Sequence, residues 1–180
     1  MSLKKVTAVG GLVLAFGLLS GAPANATELV CVNNQEILEI STYAKHIQQL
    51  VQQKEQELKK QLEQKVQPLQ QKLMAIQQQI QSGLLSQEAV KQKQQEALKI
   101  QQQIQQLVIE TQQEYQKFAQ EQFDKLTQLE KAALKALSKT LGFKSVIDCR
   151  AFIYYTPEVD ITEQTAKVMD QLAKEAKGND

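Results

Sequence analysis

The residues able to do covalent or acid–base chemistry are few, and their spacing suits catalysis poorly. One histidine, His46, stands in a polar stretch, and the two cysteines, Cys31 and Cys149, lie far apart in the chain. A structural zinc centre draws Cys or His ligands in closely spaced pairs, and this chain has neither such a pair nor a second histidine. A nucleophilic triad would have to recruit His46 as its base from a remote segment. No Gly-rich phosphate loop is present. Runs such as Lys54-Glu55-Gln56-Glu57 read as solvated helix faces with local ion pairs. The chain is therefore expected to be no enzyme, with no catalytic residue, no cofactor and no metal.

The cysteines have one chemistry left, a bridge, and whether it forms depends on the compartment. Lys4 and Lys5 open a basic start, Val6 to Leu19 is apolar, and Ala24-Asn25-Ala26 places small residues at both cleavage-specifying positions. That layout predicts a secretory signal peptide over residues 1–26, removed after about Ala26. The apolar run is shorter than the ~20 residues of a membrane span. A lipoprotein would need small residues before Cys31, where Glu28-Leu29-Val30 stand instead. Export places the mature chain in an oxidising compartment, where an even number of cysteines suggests a Cys31–Cys149 disulfide. Two buried, unpaired thiols acting as small hydrophobes are the alternative. Spacing does not decide whether a bridge would form within one chain or between two.

Removing the leader takes Lys4 and Lys5 from 21 basic residues and no acid, leaving 19 against 20 acidic residues and a net charge of −1. A nucleic-acid partner normally demands a clustered basic face, so none is expected. Low aromatic content and no Trp argue against a large compact core.

The elements that must position these residues are mostly helical. From about Thr42 to Thr140 the apolar residues keep a heptad-like rhythm. On the first arm the seam is read as Leu62, Val66, Leu69, Leu73, Ile76 and Ile80. On the second it is read as Ala97, Gln101, Ile104, Val108, Thr111, Tyr115 and Phe118, then Leu126, Leu129 and Ala133. Successive four-residue steps near Leu58–Leu62 and Gln122–Leu126 are stutters that relax the supercoil. Ser41-Thr42 can cap the first arm, which should run to about Gln81, with a kink expected at Pro68. Ser82-Gly83 breaks the pattern and Ser86 restarts it, so residues 41–140 are expected to form a helical hairpin with its tip near 82–86. Leu84 and Leu85 at that tip either pack on each other to close the hairpin or offer a client an apolar contact.

About thirty Gln residues lie in the arms, mostly off the seam, and their helical context argues against a disordered tract. They either solvate the outer face without charge or present a soft, hydrogen-bonding inner surface to nonspecific clients.

The chain ends carry the remaining elements. Glu28–Asn33 reads as a strand, and Phe143–Asp148 and Ala151–Tyr155 read as two short β segments. Asp160, with Glu163 three residues on, should open a last helix through a capping box. Residues 27–40 and 141–180 are thus expected to form one discontinuous β-rich body, which assembles only if the arms fold back. A narrow seam buries little for so many ordered residues, and so few strands do not make an independent sheet. Both shortages predict oligomerisation by sheet-edge pairing between chains.

The segment Leu29-Val30-Cys31-Val32-Asn33, the long hairpin, and Val146-Ile147-Asp148, Tyr154-Tyr155-Thr156-Pro157 and Asp160-Ile161-Thr162 together resemble the Skp/OmpH family of periplasmic chaperones. The resemblance spans essentially the whole mature chain. It implies a mainly α fold with a small β body and a coiled-coil hairpin, assembled as a jellyfish-like homotrimer. It also implies an ATP-independent holdase that binds unfolded outer-membrane β-barrel proteins in a cavity between the arms and prevents their aggregation. The membrane surface and the outer-membrane assembly machinery are further candidate partners. Two features depart from the family pattern. Well-known members are strongly basic whereas this mature chain is neutral, which puts electrostatic capture and lipopolysaccharide binding in doubt. The cysteine pair would, if bridged, lock the first strand to the C-terminal segments. The competing reading is a structural or adhesive periplasmic coiled-coil scaffold.

Overall fold

The computed structural model describes residues 28–178, so the expected signal peptide lies outside the described residues. Strand β1 (Leu29–Val32) leads into a short helix α1 (Asn34–Ile40), and the arms follow as α2 (Thr42–Gln81) and α3 (Gln87–Leu141). Strand β2 (Ser145–Asp148), two 3-10 turns and helix α4 (Thr162–Gly178) complete the chain. At 1.5 Å per residue the 40 residues of α2 span about 60 Å and the 55 of α3 about 80 Å. The base of α3 therefore runs on past the start of α2, where the body sits.

Local signals place the arm ends. Ser41 caps α2 by accepting the Ala44 amide, and Ser86 caps α3 by accepting the Ala89 amide. Gly142 closes α3 in the left-handed conformation, φ 79°, with its amide donating to Ser138 O. Gly83 at the tip takes φ 70°. Both positions suit a residue without a Cβ. Helix α2 runs unbroken through Pro68, which withholds one amide from the Gln64 carbonyl.

Burial follows the expected seam along α2, with Leu58 and Ile76 buried and Leu62, Val66, Leu69, Leu73 and Ile80 half-buried. On α3 the expected seam needs two corrections. Ile100 is buried and Leu107 half-buried, whereas the anticipated Gln101 and Val108 are exposed. A step of three from Ala97 reaches Ile100 and from Ile104 reaches Leu107, and either step keeps the stripe against α2. The four-residue steps through Leu58, Leu62 and Val66, and through Phe118, Gln122 and Leu126, are kept.

The core lies at the base of the hairpin. Val30, Val32, Ile37, Ala44, Leu126, Ala133, Phe143, Ile161 and Met169 form one buried cluster. Ala44 and Ala133 have no exposed surface, and their small side chains let the helices approach. Strands β1 and β2 pair in parallel, with Val30 opposite Val146 and Cys31 opposite Ile147. The whole hairpin is the crossover between them. On the other side of β1 the Ile161 amide donates to Cys31 O at 3.0 Å. Chain entry and exit thus lock together around one central strand.

Three further expectations are corrected here. The connection after β1 is helical: Asn33 caps α1 by accepting the Glu36 amide, and its own Nδ2 donates to Glu36 Oε2 at 3.4 Å. The segment Ala151–Tyr155 is not a strand. Asp148 accepts the Arg150 amide at 2.9 Å and Phe152 N donates to Cys149 O, which winds the chain into a 3-10 turn. An extended Ala151–Tyr155 would also need a ladder partner for its amides. The capping box at α4 does not close either. The Asp160 amide donates to Pro157 O, so it is not free for Glu163, which pairs with Lys167 instead. The Asp160 carboxylate caps the helix directly by accepting the Thr162 amide at 3.0 Å.

Candidate functional site

A seam of apolar residues holds two long helices together but leaves the shoulders beside it open. Near the tip, Leu73, Ile76, Ile80 and Ala97 floor a groove of about 520 Å³ rimmed by Gln77, Gln94, Leu98 and Gln101. Nearer the base, Leu58, Leu62, Thr111 and Tyr115 line a second groove of about 230 Å³ with Glu55, Lys59, Val108 and Gln112. The pairing of residues 73–80 with 94–101, and of 55–62 with 108–115, shows the antiparallel register of the arms. Glu55 and Lys59 are the charged residues among these linings, and they pair with each other at 2.6 Å. A second ion pair crosses between the arms, Lys54 Nζ to Glu114 Oε1 at 2.9 Å. Hydrogen bonding to Glu114, partly opposed by desolvation, raises the Lys54 pKa above its ordinary value.

At the tip, Ser82 donates its hydroxyl to Gln79 O at 2.7 Å and Gly83 reverses the chain. Leu84 is 89 % exposed while Leu85 is half-buried, so the two leucines do not form a closed pair. Leu84 is the more exposed of the two.

Cys31 and Cys149 are joined in one chain across 118 residues, and both are buried. Together with Asp160 they place three potential ligand atoms within 4.8 Å of one another. Each sulfur is already bonded to the other, which leaves a single carboxylate and no metal-binding set. His46 is exposed at the base of α2, in a shallow cleft with Thr42, Tyr43, Asp170 and Lys174.

The contact that fixes the base of the first arm joins residues remote in sequence. Asp170 on α4 accepts hydrogen bonds from the Ser41 hydroxyl at 2.7 Å and from the Thr42 and Tyr43 amides at 3.0 Å each. Burial alone would raise the pKa of this carboxyl. The three donors outweigh it and hold the group below the usual aspartate value. No local pattern points from residue 170 to residue 42. The only available signal was a lone acid beside the apolar face of α4.

The body leaves apolar surface uncovered. Leu29, Val146 and Ile147 are exposed on the two-stranded sheet, and Ile153 and Tyr154 stand out from the turn that follows it. Among the described residues no helix is long and apolar enough to cross a membrane.

A sequence profile of the outer membrane protein family described as OmpH-like matches residues 28–172. Among solved structures, a candidate OmpH-like outer membrane chaperone from Caulobacter crescentus CB15 is similar in fold, with a TM-score of 0.68 at 14 % identity, covering 81 % of this chain and 85 % of that one. No curated protein matches the chain at a significant level.

Proposed function

Because the chain belongs to the OmpH-like outer membrane protein family, we propose that it is an ATP-independent holdase of the periplasm that keeps unfolded outer-membrane β-barrel proteins from aggregating. The observation that carries this is the confinement of the core to the hairpin base. Most of each arm projects beyond that core, with open, apolar-floored grooves along its length. Such a shape provides contact surface. Each contact with a client is weak, and several arms around one cavity multiply them through effective concentration.

The cavity requires more than one copy. A two-stranded parallel sheet with exposed Leu29, Val146 and Ile147 has little stability of its own. Three copies whose bodies cover these residues would project three hairpins around a shared space. The leader over residues 1–26 delivers the chain to the periplasm and is removed after about Ala26.

The test is an aggregation assay. A small outer-membrane β-barrel protein unfolded in urea is diluted into buffer with the mature protein and without nucleotide. Light scattering should stay low at near-stoichiometric ratio. A native chain that gives no protection overturns the holdase role and favours a scaffold. Sedimentation that yields a folded monomer would remove the cavity.

A further inference from the structure

The two grooves lie on one and the same flank of the hairpin. On α3 the upper groove takes Gln94, Leu98 and Gln101, and the lower takes Val108, Gln112 and Tyr115. Each residue of the second set follows its counterpart by fourteen positions, two full heptads, so the sets share one helical phase. Between them the same phase places Gln105, leaving no charge on this side of α3 from Gln94 to Tyr115. On α2, Met74, 57 % exposed, and Gln77 fall on this flank, with Glu63 the carboxylate between the two grooves.

The opposite flank differs. There the α3 phase carries Glu96, Lys99, Glu110 and Lys117, all exposed, and the Lys54–Glu114 pair spans the arms. One shoulder of the hairpin is charged and tied across; the other is amide-rich, apolar-floored and open.

We propose that the open flank binds an extended, uncharged stretch of unfolded polypeptide whose side chains alternate between apolar and polar. This rests on the holdase role proposed above and names the face and chemistry through which it acts. Complementarity of charge selects the occupant. The groove linings hold no unpaired charge, so a charged segment would lose hydration without gaining a partner. An uncharged one loses little. Each Gln side chain offers both a donor and an acceptor, and so can pair with main-chain amides whatever the client sequence. Leu98 and Val108, 58 % and 47 % exposed, supply apolar contact at two levels. Fourteen residues of helix cover about 21 Å, the reach of roughly six extended residues. A membrane-spanning β-strand of about ten residues, apolar on one face and polar on the other, is long enough to engage both levels.

The test uses the full mature protein and the same urea-unfolded β-barrel client. Leu98→Glu/Val108→Glu places two charges on the open flank. Gln103→Glu/Gln113→Glu places the same charges at the same separation on the opposite one. Melting temperature and sedimentation identify variants that keep the native assembly. The open-flank variant should need roughly tenfold more protein for half-protection, as expected when an apolar contact of leucine size is lost. The control should match the native chain, and protection by the native chain should change little between low and high salt. A benzophenone side chain introduced at position 98 should cross-link to client, while one at position 103 should not. Native protection with an unaffected open-flank variant overturns the assignment of the flank and leaves the holdase role standing. Cross-links from position 98 to another copy of the chain overturn it too, making the flank an interface between arms. If the native chain itself fails to protect, the holdase role falls, and this inference with it.

Discussion

Asp170 accepts the Thr42 amide at 3.0 Å across 128 positions of sequence, so the last helix of the chain caps the first residue of the first arm. The same carboxylate takes the Ser41 hydroxyl and the Tyr43 amide. A helix start has unpaired amides and a positive partial charge, and an anion there satisfies both. The body thereby holds the arm by its root.

Asp170→Ala should lower stability by about 1–2 kcal/mol, the magnitude of a lost N-cap. Asp170→Asn, which keeps an acceptor oxygen but not the charge, should lose less. Thermal unfolding followed by circular dichroism measures both, and equal stability of all three proteins would show that the contact contributes nothing.

The same carboxylate sets an acid limit. Its folded pKa is depressed, so its contribution is fully present above the ordinary aspartate value near about 3.9 and is lost as pH falls through the lower folded value. Asp148, hydrogen-bonded by the Arg150 side chain and amide, is held to about 2, so its contribution fades below the ordinary aspartate value and is lost as pH falls through about 2. Glu130 acts in the opposite sense: burial raises its pKa, partly countered by Lys131, so its protonation favours the fold as pH falls. Urea unfolding should show a loss of stability setting in below about pH 4. Asp170→Asn should make that loss shallower.

The disulfide closes a loop of 118 residues within one chain. On the chain-entropy estimate such a bridge stabilises by about 4–5 kcal/mol. Calorimetry with and without a reducing agent, under denaturing pre-incubation so that the buried bridge is reached, should show a large fall in Tm. A chain that melts at the same temperature when fully reduced would remove the bridge from the account.

Gly142 and Gly83 should respond differently to the same change. Gly142→Ala places a Cβ at φ 79° in the closure between α3 and the core residue Phe143, and should cost about 1 kcal/mol of global stability. Gly83→Ala meets the same backbone strain at φ 70° with nothing within 4 Å of the new atom, far from the core. Its effect should be confined to the tip. Hydrogen exchange should show faster opening around residues 80–86 with the main melting transition unmoved.

Met169 has no exposed surface and lies in the cluster that joins α4 to the strands and α3. Met169→Ala should cost about 2–5 kcal/mol through lost burial and a residual cavity. Guanidinium unfolding would measure it, and a change below about 0.5 kcal/mol would place the core elsewhere.

How much of this was legible in the sequence varies with the range of the interaction. The α2 seam, the Ser41 and Ser86 caps and the Gly142 stop depend on neighbours a few residues away, and the structure keeps each of them where the sequence places it. The phase of α3 slipped by one at Gln101 and Val108, because Gln is neutral to the pattern and Val108 invites inclusion; only the position of α2 selects Ile100 and Leu107. Helix α1 carries a local signature, Asn33 with Glu36 three residues on, inside the segment expected to be a polar connection. Ala151–Tyr155 has strand composition, yet the Asp148 cap and the nearby disulfide turn it away from any sheet edge within the chain.

By itself, then, the amino-acid order determined two long arms, their reversal near Gly83 and the near balance of charge over residues 27–180 as a whole. Helical period, caps and left-handed glycines act within a turn or two of the chain and need no partner to be recognised. Only the tertiary structure decided that β1 and β2 run parallel, that Cys31 meets Cys149 in its own chain, that Asp170 anchors the first arm, and that one flank of the hairpin is open while the other is tied. Each of these joins residues separated by a long stretch of sequence or depends on how one helix is rotated against another. Such relations are settled by the combined burial of several elements, and no local pattern records them.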